Sequence, residues 1–312
     1  MTVEALAGGT VGVERAPGRW REILRQVLRS WSGRVGAILA AIIIVMAVFA
    51  PLIAPYGATE ILLDPAKNEK VLERPCIHLF GCADSEVQHI MGTDSNGRDV
   101  FSRIVYGARV SLVAGAAAVV FAVVIGTVIG LVAGFFGRRL DNGLMRCMDV
   151  LLSFPSLLLA ILIVTVLGRG LVNAVLAIGI VSIPIYARVV RAQVLALKEQ
   201  DFVTADRALG VRTPRLLFHR VFPNTLTPLV VQSTLGFATA VLEIAGLGFL
   251  GLGVQPPGAE WGTMVSDGFR ASILSVPHLT IFPGLFIFLN VLAFNLLGDS
   301  LRDALDPRSA GR

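Results

Sequence analysis

Two carboxylates stand inside long apolar stretches of this chain, where an acidic side chain needs a role. Asp149 lies near the start of one apolar run, and Glu243 lies well inside another. A carboxylate in the hydrocarbon layer of a membrane costs about 2.5 to 3.5 kcal/mol on insertion scales, so each should face protein or water. Such groups either relay protons, as in a proton-coupled secondary transporter, or accept hydrogen bonds from a neighbouring helix. We favour the second interpretation, because no Lys, Arg or His shares their apolar runs.

No pattern for hydrolytic chemistry is present in the sequence. A nucleotide-hydrolysing site needs a glycine-rich loop that closes on Gly-Lys-Ser or Gly-Lys-Thr, because backbone amides and the lysine neutralise the phosphates. The lysines of the chain are Lys67, Lys70 and Lys198, and none of them follows a glycine. The His-Glu-x-x-His and Gly-x-Ser-x-Gly patterns are also missing. We therefore predict that the chain is not an enzyme and has no cofactor or metal site of its own.

The composition indicates a membrane protein. Hydrophobic residues make up 54% and charged residues 16% of the 312 residues, and the mean hydropathy is +0.74. Soluble domains carry about 25% charged residues, so most of this chain must be solvated by lipid. The net charge of +5 does not indicate nucleic-acid binding, because the basic residues are scattered between apolar runs and share no single face.

Six segments are long and apolar enough to cross a bilayer, which takes about 20 residues. These segments are 35–53, 111–136, 147–167, 171–187, 228–250 and 279–297. The sequence therefore predicts an all-α, polytopic membrane protein with six transmembrane helices. Pro155, inside the third segment, and the glycines near the end of the fifth allow kinks and close helix packing.

The basic residues predict how these spans are oriented. With both termini in the cytoplasm, 19 of the 27 Lys and Arg residues lie inside and 8 lie outside, whereas the acidic residues divide evenly. That asymmetry follows the positive-inside rule. The predicted order is a cytoplasmic arm 1–34, the first span 35–53, an extracytoplasmic loop 54–110, a core of five spans 111–298 with a cytoplasmic segment 199–224, and a cytoplasmic tail 299–312.

The cytoplasmic arm contains an amphipathic pattern ahead of the first span. Apolar residues recur there at helical spacing, with arginines on the other faces of the same segment. They are Trp20, Ile23, Leu24, Val27, Leu28 and Trp31. Trp combined with Arg is typical of a helix that lies in the headgroup layer, which is our prediction. An ordinary solvated amphipathic helix is the alternative.

Cys76 and Cys82 lie close together in the polar loop that the topology places in an oxidising compartment. A Cys-x5-Cys hairpin can close when its turn brings the two α-carbons within about 7 Å, and we predict a disulfide. His78 and His89 are close in sequence, so a Cys2His2 zinc site is the alternative.

The cytoplasmic segment reads as two short helices joined by a glycine. The first is predicted to run to Leu209 and to stop at Gly210, which tolerates the left-handed backbone of a helix end. Thr213 is predicted to cap the second helix, with Pro214 at its first position. Together they would form a compact knob suited to a groove in a soluble partner. A charged, solvated connector is the alternative.

This segment resembles the conserved cytoplasmic loop of ABC importer permeases, which family members insert into a cleft of the ATP-binding subunit. The family pattern is Glu-Ala-Ala, three residues, Gly, then a Leu-Pro pair. The matching positions here are Thr204, Ala205, Asp206, Gly210, Phe222 and Pro223, so the Glu and the second Ala are replaced. The resemblance implies that Ala205 and Leu209, one turn apart, are buried in that contact.

Two further stretches strengthen the resemblance. GTDSNGRDVFSR at 92–103, followed by YGARVSL at 106–112, is similar to the motif before the second span of oligopeptide and dipeptide permeases. LGFLGLGVQPP at 247–257, with WG at 261–262, is similar to the end of their fifth span. The long polar loop and the single extra first span resemble the C-type subunit of the permease pair.

The resemblance implies a type I ABC importer permease in the inner membrane. Its expected partners are a homologous permease that completes a heterodimer, two ATP-binding subunits that hold ATP and Mg, and an extracytoplasmic substrate-binding protein. The expected substrate is a peptide, with dipeptides, oligopeptides, glutathione, nickel complexes and opines among the cargoes of relatives. A proton-coupled secondary transporter, or a membrane scaffold without transport, is the alternative.

Overall fold

The structure is a computed structural model that describes residues 19–63, 71–76 and 88–305. Within these ranges it contains twelve α-helices and a π-helical turn, Leu217–Val221, that joins α9 to α10. The helices are α1 Arg19–Arg29, α2 Trp31–Val48, α3 Ala50–Ile53, α4 Val100–Phe136, α5 Arg138–Leu152, α6 Ser156–Leu167, α7 Leu171–Leu197, α8 Asp201–Ala208, α9 Thr213–Leu216, α10 Phe222–Phe249, α11 Trp261–Ser272 and α12 His278–Leu305. Strand pairing in the same ranges is limited to two isolated β-bridges.

Five stretches of helix in the described residues are long and apolar enough to cross a membrane. They are α2, α4, α7, α12 and the continuous run Thr213–Phe249, which joins α9, the π-helical turn and α10. A sixth span results if the bent pair α5 and α6 is counted as one. The predicted all-helical membrane fold with six spans is thus confirmed with one span broken.

The span predicted at 147–167 is sharply bent near Pro155 and is not one straight helix. α5 ends at Leu152, α6 begins at Ser156, and the two helices meet at 92°. Pro155 caps α6 with φ −56° and ψ 130°, an extended backbone that stops the preceding helix. Because α6 has 12 residues, it extends only about 18 Å and is too short to span the bilayer alone.

α4 and α7 are longer than the predicted spans, because the polar turns next to the apolar runs are helical as well. α4 begins at Val100, eleven residues before the predicted start, and Asp99 caps it by accepting the Ser102 backbone N–H at 2.7 Å. α7 continues past residue 187 to Leu197 and so ends four residues before α8. Hydropathy marks only the part of a helix that lies in lipid, and both helices extend beyond that part.

Small residues allow α4 and α7 to pack closely. Gly126, Gly130 and Gly134 recur at every fourth position of α4 and face α7. A Cβ added at Gly130 would lie 2.6 Å from the Ala187 carbonyl oxygen, and one at Gly134 would lie 2.7 Å from the Cβ of Val194. Without a hydrophobic driving force between helices in lipid, such close backbone contact is what stabilises their association.

A second apolar core joins α2, α4, α11 and α12. Ile43, Ile104, Trp261 and Met264 are buried in it. α11 was not predicted from the sequence, and it brings Trp261 into this core, where the indole Nε1–H donates to the Ile104 carbonyl oxygen at 3.0 Å. The buried Trp therefore has its one polar group satisfied.

The predicted amphipathic helix is present as α1. Ile23 and Val27 are buried, whereas Leu24 and Leu28 are exposed. α1 contacts α2 and α12, so part of its apolar surface packs on protein. Leu24 and Leu28 remain available for a surface outside the chain.

Candidate functional site

The end of α8 is closed by backbone hydrogen bonds around Gly210. The Gly210 N–H donates to the Arg207 carbonyl oxygen, and the Val211 N–H donates to the Asp206 carbonyl oxygen, each at 3.0 Å. This pair of bonds is the Schellman motif, which requires a left-handed residue after the helix. Gly210 has φ +78°, so the predicted helix stop is confirmed.

The second arm of this segment differs from the prediction. Arg212 caps α9 through its backbone alone, and Thr213 is already the first helical residue, so the predicted Thr213 cap with Pro214 at the first position is wrong by one residue. The arm is also not a separate short helix. It runs through the π-helical turn into α10, so that Thr213–Phe249 forms one continuous helical rod. We call Asp201–Val221 the coupling segment.

Contacts with the membrane helices hold the coupling segment in place. Val203 is fully buried, and the guanidinium of Arg207 lies over the Phe135 ring at 5.1 Å from its centroid. Asp206 accepts a hydrogen bond from Arg220 at 3.0 Å. The two arms are thereby tied to each other and to the end of α4.

The predicted coupling residues divide between the two arms. Ala205 and Gly210 are exposed, and Leu209 is 82% exposed at the tip. An open cavity of about 940 Å³ lies between the arms, lined by Asp206, Leu209, Gly210, Val211, Arg212, Arg215, His219 and Arg220. An apolar tip beside a basic cavity is a surface that a soluble partner would cover.

The other three predicted residues lie outside that tip. Thr204 is exposed and donates its hydroxyl hydrogen to the Asp201 carbonyl oxygen at 2.9 Å, within α8 itself. Phe222 packs against the apolar core that α4, α6, α7 and α10 share, and Pro223 lies in the first turn of α10. The Phe-Pro pair therefore positions the second arm instead of forming its tip.

Asp149 and Glu243, the two carboxylates predicted to lie in the membrane, have partners on other helices. Asp149 Oδ1 accepts a hydrogen bond from Arg188 Nη2 at 2.6 Å, and both side chains are about half exposed. Glu243 Oε1 accepts a hydrogen bond from the Ser156 hydroxyl at 2.7 Å. Arg188 was not considered as a partner, because the predicted fourth span ended one residue before it.

A third interhelical carboxylate was missed by sequence reasoning. Asp141 on α5 is buried and accepts two hydrogen bonds from Arg191 on α7, at 2.5 Å from Nε and 2.7 Å from Nη2. Such two-point pairing fixes the relative orientation of two elements. It anchors the bent α5 to α7, and its only sequence signal is a lone acid in a short basic stretch between two apolar runs.

The motif stretch at 92–103, before α4, contacts the motif stretch at 247–257, at the end of α10. Asp94 accepts a hydrogen bond from Arg98 Nε at 2.7 Å and lies 3.4 Å from Arg103 Nε. Arg103 donates to the carbonyl oxygens of Pro257 and Gly258, each at 3.4 Å. The stretch before α4 is thus bonded to the stretch after α10, in a contact that we call the outer junction.

Glu260 lies beside the outer junction and joins α11 to α4. It is 1% exposed and caps α11 by accepting the backbone N–H groups of Gly262 and Thr263, at 2.8 and 3.0 Å. The Ser111 hydroxyl donates to the same carboxylate at 3.4 Å. Burial raises the pKa of Glu260, although the two backbone hydrogen bonds act against that shift.

The polar loop before α4 contributes the disulfide candidate. Cys76 is disulfide-bonded, whereas Cys147 has a free, exposed thiol. Cys82 and His78 lie outside the described residues, so the pairing of Cys76 with Cys82 stays a prediction. His89 is buried, with its Nδ1 3.1 Å from Asp99 Oδ1.

Comparison with known proteins places this geometry in a family. Residues 126–311 match the model described as the binding-protein-dependent transport system inner membrane component. Residues 18–70 match the N-terminal TM domain of oligopeptide transport permease C. The first match covers the helices that build the coupling segment, and the second covers the first span and its arm.

Individual proteins match over nearly the whole chain. The dipeptide transport system permease protein DppC of Alkalihalophilus pseudofirmus is 47% identical over 289 residues, which cover 93% of this chain and 90% of that protein. The di/tripeptide transport system permease protein DppC of Pseudomonas aeruginosa is 47% identical, with 88% of each chain covered. The glutathione transport system permease protein GsiD of Escherichia coli O157:H7 is 43% identical, with 94% and 91% covered.

A solved structure shares the fold. An inward-facing structure of the MetNI methionine ABC transporter superposes with a TM-score of 0.50 at 18% identity, covering 64% of this chain and 96% of that one. At this identity the likeness concerns the helical architecture alone. The sequence matches and the six-span fold agree, and the chain belongs to the inner-membrane permease components of binding-protein-dependent ABC transport systems, in the oligopeptide and dipeptide branch of the C type.

Proposed function

We propose that this chain forms, with a homologous permease, the transmembrane pathway of a peptide importer. The support for a peptide substrate is that relatives matched over about nine-tenths of their length are permeases for dipeptides, di- and tripeptides, and glutathione. A binding protein would deliver the peptide on the outer side, and rocking of the two permeases would expose it to the cytoplasm.

The coupling segment would dock into a cleft of an ATP-binding subunit. The single observation that carries this proposal is the exposed tip at Leu209, held on a rod that continues through Thr213–Phe249 into the membrane. A force applied at the tip would pass through the short turn 209–212 and the Asp206–Arg220 hydrogen bond to that rod, and along it to the fifth span. ATP and Mg would be held by the two partner subunits, since this chain has no phosphate-binding loop.

The proposed orientation places both termini and the coupling segment in the cytoplasm of an inner membrane. The excess of Lys and Arg on that side supports it. The pairing of Asp149 with Arg188 and of Glu243 with Ser156 argues against a proton relay, because both carboxylates already serve as interhelical acceptors.

A coupling experiment tests this proposal. The chain is purified with its partner permease and ATP-binding subunits, reconstituted into vesicles, and assayed for peptide uptake and for ATP hydrolysis stimulated by the peptide-loaded binding protein. We expect Leu209→Glu to abolish both, because a charge would be buried at the docking tip. Leu140→Glu, at a 54% exposed leucine of α5, is the matched control and should leave both unchanged. Uptake that follows a proton gradient without ATP would refute the proposal.

A further inference from the structure

A polar cavity lies at the end of α10 that is remote from the coupling segment. Its volume is about 390 Å³, within the range of small-ligand sites. α10 has 28 residues, so about 42 Å separates this cavity from the cytoplasmic end of the helix. The lining residues are Ser95, Asn96, Arg98, Arg103, Arg169, Gly248, Leu250, Gly251, Val254, Gln255, Pro256, Gly258, Thr263, Ser266, Asp267 and Arg270. We call this cavity the outer pocket.

Four arginines line the outer pocket, and two of them are structural. Arg98 and Arg103 are buried and share the single carboxylate of Asp94. Arg103 also donates hydrogen bonds to backbone carbonyl oxygens, among them that of Ala58 at 3.1 Å. These two side chains build the wall of the pocket, and removing either would leave Asp94 under-paired.

The other two arginines come from separate elements. Arg169 stands in the turn between α6 and α7, and Arg270 stands on α11, and both are exposed. In the part of the chain that the structure describes, neither has an Asp or Glu oxygen within 4.0 Å. The turn that carries Arg169 is fixed to the pocket, because the Gly170 N–H donates to the Leu252 carbonyl oxygen at 3.1 Å.

The charges of the lining leave a net positive cavity. Asp267 is the only carboxylate among the lining residues, and Asp94 behind the wall is already shared by two guanidinium groups. A guanidinium presents planar paired donors that match a carboxylate, and such charge-assisted bonds are about twice as strong as neutral ones. A carboxylate ligand would therefore complete the pocket, whereas a cation would be repelled.

We propose that the outer pocket receives the free carboxylate of the transported peptide, with Arg169 and Arg270 as its binding groups. The proposal rests on the peptide-import function and adds a chemical requirement to it. A peptide released at the outer mouth would be held by its C-terminal end before the pathway opens inward. A peptide whose carboxylate is converted to an amide would lose this contact.

Arginine modification tests the site without the binding protein. Phenylglyoxal is applied to the assembled permease and ATPase complex, and modification of Arg169, Arg270 and the exposed control Arg146 is followed by mass spectrometry. We expect millimolar dialanine to protect Arg169 and Arg270 but not Arg146, and dialanine amide to protect none of them. Equal protection by both compounds, or protection by neither, overturns the proposal.

Transport supplies the second measurement. For Arg169→Gln combined with Arg270→Gln, we expect dialanine uptake to fall about a hundredfold, the loss expected when two charge-assisted hydrogen bonds are removed. The binding-protein concentration that half-maximally stimulates ATP hydrolysis should match that of Arg146→Gln. A rise in that concentration would identify the pocket as a docking site for an acidic side chain of the binding protein and overturn the proposal. If the unmodified complex takes up no peptide, the proposed function fails, whereas uptake with unprotected arginines refutes only this inference.

Discussion

The guanidinium of Arg220 donates a hydrogen bond from Nε to Oδ2 of Asp206 at 3.0 Å. Asp206 belongs to the third-last position of α8, and Arg220 belongs to the π-helical turn that leads into α10. The bond therefore ties the exposed arm of the coupling segment to the root of a membrane span. The Arg220 side chain is 60% exposed and that of Asp206 is 15% exposed, so the pair lies at the edge of the protein surface.

Reversing either charge of this pair should weaken coupling without unfolding the chain. An exposed ion pair contributes up to about 1 kcal/mol, so Asp206→Arg or Arg220→Asp should leave expression intact and reduce stimulated ATP hydrolysis about fivefold. The double reversal should recover most of the activity, because the opposite charges are again paired. Arg146→Asp, at an exposed arginine of α5 outside the docking surface, is the control. Full activity in both single variants would show that the tie is not used.

Gly210→Val should uncouple transport through backbone strain alone. A Cβ at this position would meet nothing within 4 Å, so no clash arises. The cost is conformational, because a β-branched residue at φ +78° loses about 1 to 2 kcal/mol and would reopen the Schellman motif. We expect normal membrane insertion with loss of both stimulated ATP hydrolysis and uptake. Gly143→Val on α5, where space is equally open and φ is helical, is the control.

Gly130→Leu should destabilise the membrane core. A side chain there would be driven against the Ala187 carbonyl oxygen and Val190, so α4 and α7 would have to separate. Overpacking a tight core costs about 1 to 3 kcal/mol, and backbone cannot yield as a flexible side chain would. Thermal unfolding in mild detergent should show a clear drop in melting temperature relative to Gly143→Leu. Equal melting temperatures would mean that the contact between α4 and α7 at Gly130 can accommodate a large side chain.

Local rules explain which features the sequence predicted. Long apolar runs must be helices in lipid, because every backbone polar group needs an internal partner. Gly210 was identified as a helix stop because left-handed backbone is a property of one residue and its neighbours. Pro155 shows the limit, since a proline inside a span permits either a kink or a complete break, and packing decides which of them occurs.

Long-range contacts could not be predicted from the sequence. Arg103 and Pro257 are separated by more than 150 residues in sequence, and nothing in either motif states that they touch. The sequence also did not predict that the coupling segment continues into α10 as one helix. Pro214, Pro223 and Pro228 all suggest interruptions, yet the π-helical turn and the helical positions of these prolines allow one rod to pass through them.

The pairing of Cys76 with Cys82 predicts a specific mass pattern. Intact-mass analysis of the alkylated, unreduced protein should show one modified cysteine, because the thiol of Cys147 is free and exposed. After reduction, three cysteines should be modified. A bond across so short a loop contributes roughly 2 kcal/mol, so its reduction should loosen the polar loop without unfolding the spans. Three modified cysteines in the unreduced sample would disprove the pairing.

Glu260 should make the stability of the outer junction depend on pH. Burial raises the pKa of this carboxyl above its unfolded value, so the folded state binds the proton more tightly. The sign follows from linkage: the contribution is fully present below the ordinary glutamate pKa of about 4.3 and is lost as pH rises through the folded value. The contribution of Glu260 to the wild-type melting temperature should therefore decline on going from acid to neutral pH.

Glu260→Gln removes that titration while keeping one oxygen as an acceptor for the Gly262 or Thr263 N–H. Wild type and variant should unfold at similar temperatures in acid, where Glu260 is protonated and neutral like glutamine. Toward neutral pH the wild type should fall below the variant, with its free energy of unfolding declining by at most about 1.4 kcal/mol per pH unit. Glu199→Gln, at an exposed glutamate, controls for the loss of a negative charge. If the wild type and Glu260→Gln keep a constant difference across the range, Glu260 does not titrate with unfolding, and its role is confined to capping α11.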